Sequence, residues 1–356
     1  MRIAVLIEDR CKPNSPAFMY LQKYAGTCGA ECIQVNGNKC KILESACPPC
    51  LVRAKHCPGD AVKIINLPEE LDTDLTHCYG ENGFRLFRLP APKKLEVVGI
   101  LGANGMGKST AINLLSGTLR PNLGDWLNGE QPWEDVLEAF PRGELRDFMT
   151  NVAENGVRIA VKPQYVDKIP KAFDGKVSAL LERIDQRGVI EQVSQDLGID
   201  HLFSRNLPEL SGGELQRVAI AATLLKDADV YFFDEPSSYL DIHERMRVVK
   251  IIQELSQTGK RVIVIEHDLA ILDVICDLIH VVYGERAAYG IFTPPRQTRT
   301  AINAYLDGYL EQENIRIRDK PIQFLRGRMR GEEIGESILE WGDLEKTQGT
   351  LNLKTE

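Results

Sequence analysis

Apolar residues in this chain gather into short runs separated by stretches of helical periodicity, and that alternation predicts an α/β region of buried strands and covering helices. The runs lie at 96–101, 157–162, 230–233, 262–266 and 280–283. Between 133 and 153 the pattern changes. Val136, Leu137 and Phe140 share one helical face, Leu145, Phe148, Met149 and Val152 share another, and Pro141, Arg142 and Gly143 break the run between them. This predicts a helix–loop–helix inserted at about 132–154, either a local packing hairpin or a docking element. Upstream of residue 75 the texture is Cys- and Pro-rich, with short β-like runs at 3–7 and 61–65. Beyond about 295 it turns to charged helix and then to a Gly- and Glu-containing tail.

Composition narrows the class without naming it. With 356 residues, 43% hydrophobic and 26% charged, the chain has enough apolar material for two or three globular domains. A formal net charge of −8 disfavours nucleic-acid binding by the whole surface and leaves room for local basic patches. Glu8, Asp9 and Arg10 interrupt the apolar start, so no secretory segment is expected. The most hydrophobic later stretch, 262–283, carries Glu266, Asp268, Asp273 and Asp277, which argues against a membrane span. A cytoplasmic protein is expected. Seven of the nine cysteines fall between Cys11 and Cys57, a crowding that points to metal ligation rather than disulfides.

Two stretches carry chemistry. Residues 102–110 read Gly-Ala-Asn-Gly-Met-Gly-Lys-Ser-Thr, placed between an apolar strand and a helical run, and fit the phosphate-binding P-loop. Gly102, Gly105 and Gly107 let the backbone curl so that successive N–H groups face the phosphates, with Asn104 in the loop and Thr110 opening the helix. Lys108 would reach the β- and γ-phosphates, and the Ser109 hydroxyl would face Mg²⁺. The run at 230–233 ends in Asp234 and Glu235. A buried strand there presents Asp234 to Mg²⁺ and Glu235 to an attacking water. Tyr79 and Phe84, upstream, are candidates to stack on adenine or to serve as core aromatics.

Residues 210–217, Leu-Ser-Gly-Gly-Glu-Leu-Gln-Arg, resemble the signature loop of ATP-binding-cassette (ABC) ATPases. The resemblance implies an α/β P-loop NTPase fold and two cassettes working face to face, because Ser211, Gly212 and Gly213 would close over an ATP held by an opposing cassette. Asp241, ending the run 238–241, would touch that cassette too. It also implies roles for Gln164, as a sensor of Mg²⁺ and the attacking water, and for His267, as a contact to the γ-phosphate.

The runs 162–167 and 234–241, with supporting stretches at 65–68, 121–124, 305–309 and 313–316, more narrowly resemble ABC subfamily E, the ribosome-recycling factors also called RNase L inhibitor. That resemblance covers residues 1 to about 325. It implies a small α+β ferredoxin-like domain at 1–75, a nucleotide-binding domain at 76–295, a hinge-like segment at 296–325 and a charged tail at 326–356, in a half-length form of the family. It further implies ATP and Mg²⁺ as ligands, ribosomal subunits with release or initiation factors as partners, and a second cassette, from a second copy or another chain. The 133–153 hairpin resembles the family's small-subunit contact.

One family feature is broken. Two ferredoxin-like cysteine motifs should hold two iron–sulfur clusters. Cys11, Cys47, Cys50 and Cys57 remain, but Pro16, Tyr20, Tyr24 and Arg53 stand at the other ligand positions. The expectation is a metal-free domain held by its apolar core, with one rebuilt iron–sulfur or zinc site as the alternative. For the whole chain the expectation is an ATP hydrolase in ribosome recycling. The alternative is a regulatory half-molecule that binds ATP and the ribosome, or a full-length family member, without productive turnover.

Overall fold

The structure, a computed structural model, describes residues 2–6, 10–25, 33–36, 39–42, 57–66, 74–322, 345–348 and 351–354. The first elements form a small α+β unit. Strand β1 (Arg2–Leu6) pairs antiparallel with β4 (Val62–Asn66), β2 (Ile33–Asn36) pairs with β3 (Lys39–Ile42), and helix α1 (Pro16–Ala25) packs on the β2–β3 pair. Its core is made of Cys11, Ala17, Phe18, Leu21, Ile33, Cys40, Ile42, Cys57, Ala61 and Val62. The β-like runs expected at 3–7 and 61–65 are therefore strands, each displaced by one residue.

The large sheet begins with β5 (Leu75–Cys78) and β6 (Arg85–Phe87). It continues with β7 (Val97–Gly102), β8 (Ile159–Lys162), β9 (Val230–Asp234), β10 (Arg261–Ile265), β11 (Leu278–Glu285) and β12 (Tyr289–Phe292), with β13 (Arg296–Gln297) paired beside β11. Its order is β5-β6-β12-β11-β7-β10-β9-β8. The strands β11-β7-β10-β9-β8 are mutually parallel, and β12 turns back antiparallel on β11. Parallel strands are buried on both faces, which is why their sequences are runs rather than alternations. Val97, Leu101, Tyr231, Phe233, Val262 and Val264 enter the core on one face, and Val98, Ile100, Val230, Phe232, Ile263 and Ile265 the core on the other.

Helix α2 (Lys108–Leu115) follows β7. The inserted pair is α3 (Trp133–Ala139) and α4 (Glu144–Asn155), broken at 140–143 as expected. Val136, Phe140, Phe148, Met149 and Val152 are buried in the second core, so the hairpin's apolar residues pack against the sheet. Glu134, Asp135, Glu138, Arg142, Glu144 and Asp147 face outward. A helical segment follows with α5 (Ile169–Ala172), α6 (Val177–Ile184) and α7 (Ile190–Leu197), then α8 (Gly212–Leu224), α9 (Ile242–Gln257) and α10 (Leu269–Ile275).

Helix α11 (Thr298–Asp307) and the short pair Tyr309–Leu310 with Ile315–Arg316 lie in the stretch read as a hinge. Ala301, Ile302 and Leu310 are buried in the first core, and Arg88 joins the segment to the sheet by bonding Glu313 at 2.8 Å and Asp74 at 2.7 Å. Residues 321–356 form a separate unit, in which Glu345–Gln348 and Leu351–Lys354 pair as a hairpin.

Candidate nucleotide site

The P-loop leaves β7 at Gly102 and enters α2 at Lys108. Gly107 caps that helix with φ +85°, and a Cβ there would come within 2.6 Å of the Phe84 ring, so only glycine fits the turn. The loop opens onto a cleft of about 440 Å³ lined by Tyr79, Phe84, Asn104, Gly105, Gly107, Lys108, Ser109, Thr110, Gln164, Tyr165, Asp234 and Ala287. Both aromatic candidates thus sit at the cleft wall, and the Tyr79 hydroxyl lies 3.4 Å from Thr110 Oγ1.

Four separate loops supply the reactive side chains. Lys108 Nζ donates to Gly102 O at 2.9 Å and lies 3.0 Å from His267 Nε2, which is itself 3.0 Å from Asn104 Oδ1. Gln164 Nε2 donates to Glu235 Oε1 at 2.7 Å, and His267 Nε2 lies 3.6 Å from the same oxygen. Burial lowers Lys108 to about 8, opposed by the charges of Asp234, Glu235 and Glu266. Burial, and then the neighbouring Glu235 charge, raises Asp234 above the usual carboxylate range. Burial and the Lys108 charge lower His267, which favours a neutral ring that accepts from the ammonium. The cleft concentrates desolvated titratable groups, which marks it as a candidate functional site.

Ser211, Gly212 and Gly213 do not line this cleft. Ser211 is the N-cap of α8: its hydroxyl accepts from the Glu214 N–H, and the Glu214 carboxylate accepts from the Ser211 N–H at 2.7 Å. A Cβ on Gly213 would meet Tyr239 O at 2.9 Å, so the 238–241 loop lies directly on the signature turn. Asp241 caps α9 by accepting the Glu244 N–H at 2.9 Å, and that bond holds its carboxyl below the usual range.

Three polar residues absent from the sequence-derived site are buried beneath it. Lys162, Gln216 and Glu266 contact the main chain around Glu235 or His267. A charged Lys162 closing an otherwise apolar strand was the available signal for one of them.

In the small unit, Cys11, Cys40 and Cys57 share the core, and Cys47, Cys50 and Arg53 lie outside the described residues. Pro16, Tyr20 and Tyr24 all fall on α1. Burial, then Cys40, pushes the Cys11 thiol up to about 11, and burial raises Cys40 as well. Among the described residues no three Cys, His, Asp or Glu side chains are grouped to hold a metal ion. No described helix is long and apolar enough to cross a membrane.

Residues 92–238 match the sequence family described as ABC transporter. The chain also covers 70% of the hemin import ATP-binding protein of Thermobifida fusca at 30% identity. It therefore belongs to the ATP-binding-cassette ATPases, the class its sheet order and P-loop define. Strong homology extends to subfamily E. The chain is 42% identical over 342 residues to the ABC transporter E family member 1 of Arabidopsis thaliana, covering 94% of this chain and 56% of that one. It superposes with a TM-score of 0.88 and 44% identity on ABCE1 in a ribosome-bound archaeal Pelota and ABCE1 complex, covering 99% of this chain and 60% of that one. An archaeal ribosome recycling factor solved with ribosomal stalk protein aP1 gives a TM-score of 0.68 at 48% identity, over 80% of this chain and 55% of that one. The chain thus spans less than two thirds of the length of these subfamily E relatives.

Proposed function

We propose that this chain binds Mg–ATP in the 440 Å³ cleft and hydrolyses it when a second cassette closes its signature turn over the phosphates. In this reading Lys108 and the P-loop amides cradle the phosphates, Tyr79 and Phe84 flank the adenine, and His267 meets the γ-phosphate. Glu235 accepts the proton of the attacking water, with its carboxylate aimed by Gln164 at 2.7 Å. Ser109, Asp234 and Gln164 would hold Mg²⁺; all three line one cleft and offer the hard oxygen donors that ion prefers. Bound there, Mg²⁺ neutralises charge on the β- and γ-phosphates. Ser211–Gly213 and Asp241 serve the opposing site, which is why they lie outside this one.

The observation that carries the reading is the convergence of Lys108, Gln164, Glu235 and His267, from four loops, in one chain of contacts: Lys108 to His267 at 3.0 Å, His267 to Glu235 at 3.6 Å and Gln164 to Glu235 at 2.7 Å. The substrate surface follows from the homology. Solved relatives are ribosome-bound or recycling factors, and the same cytoplasmic role on ribosomal subunits, with release or initiation factors, is proposed for this chain. The domain limits 1–75, 76–295, 296–325 and 326–356 stand as part of that proposal.

Steady-state ATP hydrolysis with and without ribosomal subunits tests it. Subunit-stimulated turnover that vanishes in Glu235→Gln is expected. Saturable nucleotide binding with turnover no higher than Glu235→Gln would instead identify a regulatory half-molecule.

A further inference from the structure

Glu235 has φ +49°, a left-handed backbone that is strained for a non-glycine residue. That strain sits at the residue whose carboxylate must be aimed at water, so the surroundings must impose it. The Glu235 N–H donates to Ile265 O at 2.8 Å, which anchors one side of the turn to β10. The other side is gripped by two side chains that are fully buried, Lys162 and Gln216, both 0% exposed. Lys162 Nζ donates to Asp234 O at 2.7 Å and Glu235 O at 3.2 Å. Gln216 Nε2 donates to Glu235 O at 2.8 Å and Pro236 O at 3.0 Å. Three consecutive carbonyls are thereby spanned by two donors that share the middle one. Glu266 completes the frame from the acceptor side, taking the N–H groups of Ser237 at 2.9 Å and His267 at 3.0 Å.

The two donors come from different places. Lys162 ends β8, two residues before Gln164. Gln216 lies on α8, little more than a turn beyond Ser211–Gly213, which face an opposing cassette in the proposed function. The geometry points to Lys162 and Gln216 as positioning residues that hold the Asp234–Pro236 main chain in the left-handed turn the Glu235 carboxylate requires, with Gln216 making that turn answer to the position of the signature helix. A donor on α8 ties the setting of this site's base to the helix that reads the other site. Two buried hydrogen bonds to one strained turn resist its relaxation; losing either leaves a buried carbonyl unpaired.

This inference rests on Glu235 being the base, and the test separates the two. Gln216→Met and Lys162→Met keep side-chain length and remove the donors. Each is expected to lower kcat at least tenfold while the Kd for a fluorescent ATP analogue stays within about threefold. Repeated in the Glu235→Gln background, each is expected to change the residual turnover less than twofold, since with no base to aim the frame has nothing to contribute. If Glu235→Gln alone leaves turnover intact, the base assignment falls. If Glu235→Gln abolishes turnover but Gln216→Met and Lys162→Met keep kcat within twofold, the positioning role falls. An equal loss in both backgrounds, a parallel loss of nucleotide affinity, or failure of both variants to fold would mark the pair as structural only and overturn the inference; should one variant unfold, the other carries the test.

Discussion

The phosphate cradle and the signature turn sit on one sheet yet are built in opposite ways. The cradle is concave and desolvated. Lys108 is buried, its charge opposed by burial and supported by Asp234, Glu235 and Glu266, and its donors already point inward to Gly102 O and His267. The signature turn is exposed and complete in itself, its Ser211 and Glu214 satisfying each other's backbone donors. One region needs a small anion to fill it. The other is exposed, and in the proposed function it serves a second surface. If the proposed pairing holds, one fold carries half of two sites, and the two halves differ in burial.

The sharpest way to break this contrast is at the base. Glu235→Gln is expected to lower ATP turnover by about 10²–10⁴ while leaving nucleotide affinity within a few fold, as read by steady-state hydrolysis beside equilibrium binding. Next is the cradle itself. Lys108→Ala removes a charged, buried donor, and a loss of roughly 10²-fold in nucleotide affinity is expected by isothermal titration; near-native affinity would mean the phosphates lie elsewhere. Ser211→Arg should do the reverse, keeping affinity within about twofold and cutting turnover by tenfold or more. Full turnover in that variant would remove the need for an opposing cassette.

A smaller effect distinguishes the two regions by acid. His280 is buried on β11 opposite Ile100 of β7, the strand that feeds the cradle. Its ring is held between Thr293 O at 2.7 Å and the Ala91 N–H at 3.3 Å, and burial lowers it to about 4. The unfolded chain binds this proton near pH 6.5 and the folded chain only near 4. Stability from the neutral ring is therefore complete above 6.5 and is lost as pH falls toward 4, amounting to about 2 kcal/mol between 6.5 and 5. Urea midpoints should drop over that window, and His280→Gln should flatten the slope. The smallest expected change is at the cap: Ser211→Ala should cost about 1 kcal/mol of stability through loss of the α8 N-cap, and a denaturation midpoint unchanged by it would show that Glu214 caps the helix alone.

Much of the cassette was readable from its residues because its rules are local. A strand buried on both faces must be an apolar run, so β7, β9 and β10 stand out, and a P-loop needs its glycines within a few positions of its lysine. The wing of β5, β6 and β12 did not stand out. β6 has three residues, and its partner β12 lies some two hundred positions away, so no periodicity accumulates. The stretch 296–325 is read as hinge-like from its resemblance to the family, and only the fold shows that Ala301, Ile302 and Leu310 within it are buried in the core. In the small unit, Cys11, Cys40 and Cys57 meet although Cys40 belongs to neither cysteine motif.

What the chain's own order of residues determined is the chemistry on offer: a phosphate loop, an acidic pair at a strand end, a signature turn and a depleted set of cysteines. Tertiary structure alone decided which of these meet. Gln164 reaches Glu235 across 71 positions and Lys162 reaches its carbonyl across 73, because β8 and β9 are neighbours in the sheet, while Gln216 arrives because α8 packs beneath that pair. Hydrogen bonds act over about 3 Å, and the order of the strands together with the packing of α8 against them brings such distant residues within that range.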